Sequence, residues 1–313
     1  MKARKLICFF AAVLLAAAFA SAQAAPLRWN VPKQVSQGHA FPVCAEGDAP
    51  FTAVFSWLDD EIAVKAEPAA ARGGKPVWKA GILLGVPLES EGDMLLTARI
   101  GEASKSFSIR TLRVAWPKSI LTVAPRYVQP PEDVLEKIAR DREHSRQALA
   151  LRTEKQWSLP LLRPVPGGIT SPFGGRRVFN GQPRAPHRGT DLRSPEGAPV
   201  RAVADGTAVL VEEQYYGGST IYLDHGQGVF SVYCHLLEPS VAMGEHVTRG
   251  QVIAKSGSTG RVTGAHLHFG FIVQGVSVDA MPLLSFPPAV TGGPSRSIFE
   301  KGRTPKKTSR SKK

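Results

Sequence analysis

Two histidines two residues apart, His266 and His268, have the residue type and spacing that can support chemistry. They lie in Ala265–Val273, a run whose apolar and aromatic residues suit a β-strand. Successive side chains of a strand point to opposite faces, so both imidazoles share one face, while Leu267 and Phe269 share the other. Two adjacent buried imidazoles need partners for four ring nitrogens. The pattern leaves two interpretations open, a satisfied core pair or a metal or catalytic site.

A second candidate set, His187 and Asp191, is four residues apart and contains Gly189, which we expect to let the backbone turn tightly. On its own, this spacing is also typical of an ordinary polar turn. With one histidine of the downstream pair it offers three nitrogen and oxygen ligands, a set that suits zinc with a fourth position for water. Structural zinc sites are normally closed by several thiolates, and the sequence has no Cys-x-x-Cys spacing. The set therefore predicts a catalytic zinc.

Several segments together resemble the LytM/lysostaphin-type zinc metallopeptidases, which cut peptide cross-links in bacterial cell walls. The similarity covers roughly Pro166 to Leu284 and implies a compact, mostly antiparallel β fold with a groove across one sheet. The matching segments, in the order typical of the family, are Ser171-Pro172-Phe173-Gly174 with Arg176-Arg177, His187 to Asp191, Asp224-His225-Gly226, Tyr233-Cys234-His235-Leu236, Gly257-Ser258-Thr259-Gly260 and His266-Leu267-His268-Phe269.

By that resemblance His187, Asp191 and His268 are the zinc ligands, and His235 and His266 are catalytic histidines that do not bind the metal. No glutamate adjoins the metal-type motifs, so these two histidines are expected to act as base and oxyanion stabiliser, without a division between them. The resemblance implies a murein endopeptidase that acts on peptidoglycan peptides. The sequence shows no obvious repeat-type wall-binding module and has the general form of a secreted two-domain enzyme, which favours D,D-endopeptidase cleavage of directly cross-linked peptides in a diderm periplasm. Two alternatives remain, a non-enzymatic wall-binding or amidase-activating module and an amidase that cuts between sugar and peptide.

The run from Val229 to His235 also has a pattern that predicts orientation. Strict alternation places Val229, Ser231, Tyr233 and His235 on one face of a strand. Cys234 is then expected to point away from the site face, as a small buried apolar residue.

The remaining histidines and cysteines have simpler interpretations. We expect His225 to support a hairpin turn, His246 to be an exposed loop residue and His144 to be solvated. Cys44 and Cys234 remain in the exported chain, where a disulfide could persist, but sequence does not decide whether they pair.

The N-terminus has the pattern of a secretory signal peptide over residues 1–25. A basic start, Met1 to Lys5, precedes the apolar run Leu6 to Ala20 and the small residues Ser21 to Ala25. Cleavage after Ala22 or Ala24 is expected, with an uncleaved membrane anchor as the alternative. The protein is therefore predicted to cross the inner membrane and work in the periplasm.

The rest of the chain is predicted to be mostly β, with a helix between two β domains. Short runs rich in β-branched and aromatic residues predict a β-sandwich-like accessory domain at 26–124, without chemistry of its own. A linker at 125–156 contains a helix-like stretch, Glu132 to Thr153, and the zinc peptidase domain covers 157–286. We expect modest, polar contacts between the domains, so that the accessory domain positions or covers the groove. A chain beginning near Trp157 is expected to stay active.

The tail at 287–313 carries eight Lys or Arg and one Glu, a net charge of +7 out of the chain's +13. This composition is typical of a disordered tail. It either holds the protein near an anionic envelope surface or acts only as a solubilising extension. Nucleic acid is excluded as a partner because export separates the protein from it.

Overall fold

The computed structural model describes residues 27–121 and 130–284. The described chain is mostly β, as the sequence predicts, with one helix of several turns. The predicted signal peptide and basic tail, and residues 122–129 of the predicted linker, lie outside the described residues, and the domain limits stay a prediction. Within the described ranges no helix is long and apolar enough to cross a membrane.

The first ten strands precede the helix. They are β1 (Arg28–Asn30), β2 (Gln34–Ser36), β3 (Ala40–Gly47), β4 (Thr52–Trp57), β5 (Asp60–Lys65), β6 (Glu67–Arg72), β7 (Lys75–Gly85), β8 (Asp93–Ile100), β9 (Ala103–Leu112) and β10 (Lys118–Leu121). After a 3-10 turn, Glu132–Val134, comes α1 (Leu135–Leu149).

Twelve strands and a short helix follow α1 in the described chain. They are β11 (Ile169–Ser171), β12 (Arg176–Phe179), β13 (Gln182–Pro183), β14 (Thr190–Leu192), β15 (Pro199–Arg201), β16 (Gly206–Gln214), β17 (Gly218–Asp224), β18 (Val229–Pro239), β19 (His246–Val247), β20 (Val252–Ser256), β21 (Leu267–Val273), β22 (Val276–Ser277) and α2 (Met281–Leu284).

The N-terminal strands form two sheets around one core, which agrees with the predicted β-sandwich. One sheet has the order β1-β3-β7-β6 and the other β2-β9-β8-β4-β5. In β4 the alternating residues Ala53, Phe55 and Trp57 are buried between the sheets, as expected for strands with one buried face. The Trp57 indole N–H donates to the carbonyl of Gly85 at 2.8 Å, so this large buried ring leaves no orphan donor.

Ten of the twelve C-terminal strands form a large antiparallel sheet with the main path β11-β14-β21-β18-β17-β16-β19, joined by β15, β20 and β22, while β12 and β13 form a separate small sheet with β10. Its register decides the site geometry. β14 pairs with β21 so that Asp191 is directly opposite His268, and β18 pairs with the other side of β21. The strand predicted from Pro199 to Glu212 is two strands, β15 and β16, and the one predicted from His266 starts at Leu267.

The helix α1 packs on the C-terminal sheet rather than standing free between domains. It buries Ile138 and Ala148, and its Asp141 carboxylate accepts the backbone N–H of Tyr215 at 2.6 Å, just after β16. It ends at Leu149, four residues before the predicted end. His144, predicted to be solvated, lies 2.8 Å from a carboxylate oxygen of Glu212 on β16, although half its side chain is exposed.

The two β bodies share apolar contacts, so the prediction that their contacts are polar is wrong. Ala40 and Leu83 of the sandwich belong to the same hydrophobic core as the C-terminal sheet. The Asp279 N–H donates to the Gly38 carbonyl at 2.7 Å, and Trp116 packs edge-on against Phe173 at 5.6 Å between ring centroids. β10 also pairs in parallel with β12. Such an interface ties the sandwich to the C-terminal body.

Candidate active site

Three side-chain atoms, one each from β14, β21 and the loop before β14, converge beside the β14–β21 pair. The Oδ1 atom of Asp191 lies 2.8 Å from Nδ1 of His268 and 3.1 Å from Nε2 of His187. The two imidazole nitrogens are themselves 3.1 Å apart. His187 comes from the loop before β14, where its backbone exchanges hydrogen bonds with Gly174 and Gly175.

These residues offer a cation site by their chemistry as well as their spacing. The His187 Nδ1 proton points at the carbonyl of Pro172, 3.0 Å away, so its Nε2 lone pair is left facing Asp191 and His268. Such an outer hydrogen bond fixes the tautomer of a metal-binding histidine. Zinc with bonds of about 2.0–2.1 Å needs ligand atoms about 3.3 Å apart in a tetrahedron, close to the separations of these three atoms. Zinc therefore fits the donor set.

Burial and neighbouring groups shift the ionisation of this set. Burial alone would raise the pKa of Asp191, but hydrogen bonds from His187 and His268 outweigh it and hold the pKa well below its usual range. Burial lowers the pKa of His268, although the Asp191 carboxylate opposes it. The site thus keeps an anionic carboxylate beside a neutral imidazole at neutral pH, the forms that bind a metal.

Gly189 has a different role from the one predicted. Its φ is not in the left-handed region, so the backbone there does not need glycine for a tight turn. A Cβ at this position would instead lie 2.5 Å from Cε1 and Nε2 of His268. Only glycine leaves room for that ring against β14.

His235 reaches the site by a break in its strand, which corrects the predicted alternation. Across β18 and β21, Tyr233 is opposite Phe269 and Cys234 is opposite His268, and cross-strand partners share a face. Tyr233 therefore faces the core with Phe269, their rings 5.5 Å apart, and Cys234 is buried on the face of His268. The prediction that Val229, Ser231 and Tyr233 share the site face, with Cys234 away from it, is wrong.

The backbone at His235 has φ +62°, in the left-handed region, and this turns its side chain back toward the site. Its ring centroid lies 5.9 Å from that of His268 and 4.9 Å from that of His266. The Gly217 carbonyl accepts the His235 backbone N–H at 2.7 Å, and the Thr259 carbonyl lies 3.0 Å from Nδ1. Burial, followed by the charge of a protonated His268, lowers the pKa of His235 to about 4.

His266 lies just before β21 and completes the cluster. Its Nδ1 is 2.8 Å from the Gly264 carbonyl, and its Nε2 is 3.7 Å from Oδ1 of Asp191. A carbonyl only accepts, so Nδ1 is the protonated nitrogen in both His235 and His266. In the neutral form of either ring, Nε2 is therefore the nitrogen that can accept a proton. The structure thus brings together all five predicted site residues, whose roles stay a prediction.

Sequence reasoning missed the backbone carbonyls that orient these rings. The carbonyls of Pro172, Thr259 and Gly264 contact ring nitrogens, and the carbonyl of Gly217 accepts the backbone N–H of His235. Residue type carries no signal for a carbonyl contact, although two of the four residues lie in segments quoted for the family resemblance.

The other candidates lie outside the cluster. His225, at the predicted turn, is fully buried, with Nδ1 2.6 Å from the Asp205 carbonyl and Nε2 2.7 Å from the Ser231 hydroxyl. Burial lowers its pKa to about 4. His246 is exposed, as predicted, but lies in the short strand β19. Cys44 and Cys234 are both free thiols.

Comparison with known proteins agrees with this geometry. Residues 185–280 match Peptidase family M23. Peptidoglycan DD-endopeptidase ShyA of Vibrio cholerae serotype O1 is 44% identical over 114 residues, which cover 36% of this chain and 26% of that protein. The DD-carboxypeptidase/endopeptidase Mpg of Neisseria meningitidis serogroup B is 37% identical over 123 residues, 39% of this chain and 28% of that protein. The match thus spans about a quarter of the length of these curated relatives.

A solved structure resembles most of the chain. A crystal structure of a Pseudomonas aeruginosa protein assigned to peptidase M23 has a TM-score of 0.59 and 27% identity, covering 82% of this chain and 96% of its own. The similarity therefore extends beyond the matched domain and includes part of the N-terminal sandwich. The described fold is that of an M23 peptidase.

Proposed function

We propose that this chain, which carries a Peptidase family M23 domain of the LytM type, is a zinc-dependent D,D-endopeptidase that hydrolyses peptide cross-links of bacterial peptidoglycan. The observation that carries the proposal is the convergence of His187, Asp191 and His268 with two further histidines facing them. A structural site would need only the ligands. Two additional imidazoles with free acceptor nitrogens favour proton transfer.

The relatives support the substrate class. ShyA and Mpg are named for endopeptidase activity, and ShyA is named for peptidoglycan. The alignments cover only 114 and 123 residues, about a quarter of the length of each relative, so the activity and the scissile bond are proposals for this chain. The directly cross-linked peptide of the periplasmic wall is the substrate we propose.

His187, Asp191 and His268 would hold the zinc ion. Bound zinc supplies a coordinated water whose pKa falls to about 7, and polarisation of the substrate carbonyl. The low pKa of Asp191 keeps that ligand anionic, so a proton does not compete with the metal for its carboxylate. The Pro172 carbonyl holds the His187 ring in the tautomer that can bind.

His235 and His266 would move protons at their Nε2 atoms. The carbonyls of Thr259 and Gly264 hold Nδ1 of each ring, so the acceptor nitrogen cannot switch by tautomerisation without the loss of a hydrogen bond. The lowered pKa of His235 keeps it neutral at pH 7. One neutral ring can take the proton of the attacking water. After protonation it can donate that proton from Nε2 to the leaving amine. The other ring can donate to the oxygen that becomes negative only in its protonated form, because its neutral form carries no proton on Nε2.

The test is hydrolysis of purified cross-linked muropeptides by the full chain, followed by mass spectrometry of the fragments. Release of monomers by cleavage of the peptide cross-link supports the proposal. Fragments split between sugar and peptide indicate an amidase instead. Absence of turnover by zinc-loaded protein, together with binding to wall material, indicates the non-enzymatic module. Asp191→Ala is the control, since removal of a ligand should abolish both zinc and hydrolysis.

We also propose a periplasmic location, after export through residues 1–25, and contact of the basic tail at 287–313 with an anionic envelope surface. The tail's net charge of +7 supports electrostatic attraction. Cell fractionation tests the location. Binding of the full chain and of a chain lacking residues 287–313 to anionic vesicles, at low and high salt, tests the tail. Equal binding by both leaves the tail as a solubilising extension only.

A further inference from the structure

A cleft of about 470 Å³ lies between helix α1 and the hairpin of β16 and β17. Its walls come from one face of α1 and from side chains at the end of the hairpin. The residues that carry the argument below are Arg142, Ser145, Gln214, Tyr216 and Tyr222. The residues that line the cleft lie outside every segment quoted for the family resemblance. Helix α1 precedes all of those segments.

The helix presents a regular stripe to this cleft. Ile138, Arg142, Ser145 and Leu149 are spaced four, three and four residues apart and line it together. Ile138 is buried, whereas Arg142 is exposed. An apolar base with a cation above it is an arrangement that suits a ligand with a negative group.

Arg142 is the free charge of the cleft. Asp141 is engaged by Lys137 at 3.1 Å and by the Tyr215 N–H at 2.6 Å, and Arg146 is paired with Glu143 at 2.6 Å. Arg142 makes no hydrogen bond or ion pair with any residue of the described ranges.

The remaining polar groups of the cleft bind one another. Ser145 Oγ lies 3.2 Å from the Tyr222 hydroxyl and accepts from the Gln214 amide at 3.0 Å. Burial raises the pKa of Tyr222 to about 12, so its hydroxyl stays neutral. The charged group of the cleft that has no partner among the described residues is therefore the Arg142 guanidinium. A guanidinium pairs well with carboxylates.

Tyr216, which lines the cleft, is next in the chain to a residue that contacts His235. The next residue, Gly217, accepts the backbone N–H of His235 at 2.7 Å. The Arg261 guanidinium stacks over the Tyr216 ring at 4.4 Å, and the Arg261 N–H donates to the Tyr216 carbonyl. Tyr216 thus contributes to the cleft on one side and adjoins the support of His235 on the other. Tyr222 is paired with Val232 across β17 and β18, two residues before Cys234, so the cleft lies on the face of the sheet that carries His268.

We propose that this cleft binds an acidic segment of the peptide substrate, with a substrate carboxylate paired to Arg142 and the chain lying along Tyr216. The proposal rests on the proposed function, and it makes α1 part of the substrate site. Arg142 would be a specificity residue that acts on binding, because it lies away from the histidines that move protons.

The test is a cycle between Arg142 and the carboxylates of the substrate. Steady-state rates of the full zinc-loaded chain and of Arg142→Gln are measured on a cross-linked muropeptide with free carboxylates and on the same peptide with amidated carboxylates. We expect Arg142→Gln to raise KM about 10-fold on the free-carboxylate peptide, with kcat unchanged, since a hydrogen bond to a charged group is lost. On the amidated peptide, KM should differ less than about twofold.

Arg140→Gln is the matched control, because Arg140 is an exposed arginine of the same helix that does not line the cleft. It should leave KM unchanged on both peptides, and Arg142→Lys should recover part of the affinity. An equal effect of Arg142→Gln on the two peptides, or no effect on either, overturns the proposal.

Failure of the proposed function would look different. If the wild-type chain cleaves neither peptide, calorimetric binding of both peptides to the full chain decides the cleft by itself. Preference for the free-carboxylate peptide that Arg142→Gln removes supports the cleft, and equal Kd values for the two peptides overturn it.

Discussion

The ring of His235 lies 5.9 Å from the ring of His268, although Cys234 is the residue paired with His268 across β18 and β21. The left-handed backbone at His235 produces this relationship. Such a conformation costs a non-glycine residue of the order of 1 kcal/mol and persists only where its surroundings hold it. Here the Gly217 carbonyl holds the backbone N–H.

His235→Asn should keep the fold and the zinc but lose turnover. Asparagine tolerates the left-handed region, so the backbone is preserved while the proton acceptor is removed. We expect kcat to fall at least about 100-fold, measured with zinc content in the same preparation. His235→Ala should lose the same activity and also unfold more easily, because alanine is strained at this φ. Full activity in the asparagine variant would rule out proton transfer by His235.

His268→Ala and His266→Ala should separate metal binding from catalysis. His268 Nδ1 lies 2.8 Å from the Asp191 carboxylate, whereas His266 Nε2 is 3.7 Å away and its Nδ1 is held by Gly264. We expect His268→Ala to lose zinc and His266→Ala to retain one zinc per chain with little turnover. Elemental analysis after dialysis measures the zinc content of each variant, and muropeptide hydrolysis measures its turnover. If His266→Ala emptied the site and His268→Ala left it filled, the two roles would be exchanged.

Gly189→Ala should weaken zinc binding without a direct change to any ligand. The added Cβ would lie 2.5 Å from two atoms of the His268 ring and must displace it. We expect a 10- to 100-fold loss in zinc affinity, on the order found for groups that orient metal ligands. Gly168→Ala is the matched control, since no atom lies within 4 Å of its Cβ. Equal zinc affinity of the two variants would mean that β14 shifts to accommodate the methyl group.

The buried His225 should make stability depend on pH. Its folded pKa of about 4 is below the ordinary value of 6.5, so the unfolded chain binds the proton first as pH falls. The stabilisation is therefore fully present above pH 6.5 and is lost between pH 6.5 and 4, by about 3 kcal/mol in total. Urea unfolding of the metal-free chain at pH 7.5 and 4.5 measures this loss. His225→Gln should lose less unfolding free energy between these two pH values, by about that amount. Equal losses in the variant and the wild-type chain would contradict the burial argument.

A chain that begins at Trp157 should be less stable than one that begins at Pro130, although sequence analysis predicts that the shorter chain stays active. The shorter chain lacks α1 and also Thr153 and Gln156, whose backbones bond to Gln227 and His225 at the β17–β18 turn. We expect a lower midpoint in thermal unfolding for the Trp157 chain, and a higher KM for the Trp157 chain if α1 binds substrate. Equal stability and equal KM of the two chains would show that neither α1 nor the segment with Thr153 and Gln156 contributes to stability or to substrate binding.

The sequence and its family resemblance predicted which residues meet. His187, Asp191, His235, His266 and His268 come together in the described fold, and their roles stay a prediction. The mostly β class followed from runs of β-branched residues between glycine and proline turns. The packing of α1 on β16 could not be predicted, because its apolar stripe is interrupted and the helix does not identify its partner.

Tertiary structure decided how the rings are aimed. A rule of alternation assumes extended backbone at every residue, and one left-handed residue, His235, reverses the faces that follow. Gly189 is needed for the nearness of the His268 ring, which is a neighbour 79 residues away along the chain. The carbonyls of Pro172, Thr259 and Gly264 fix the tautomers of His187, His235 and His266. Because every residue has a carbonyl, residue type does not identify these partners. These contacts depend on which backbone segments meet in space, so residue types along the chain do not encode them in any local pattern.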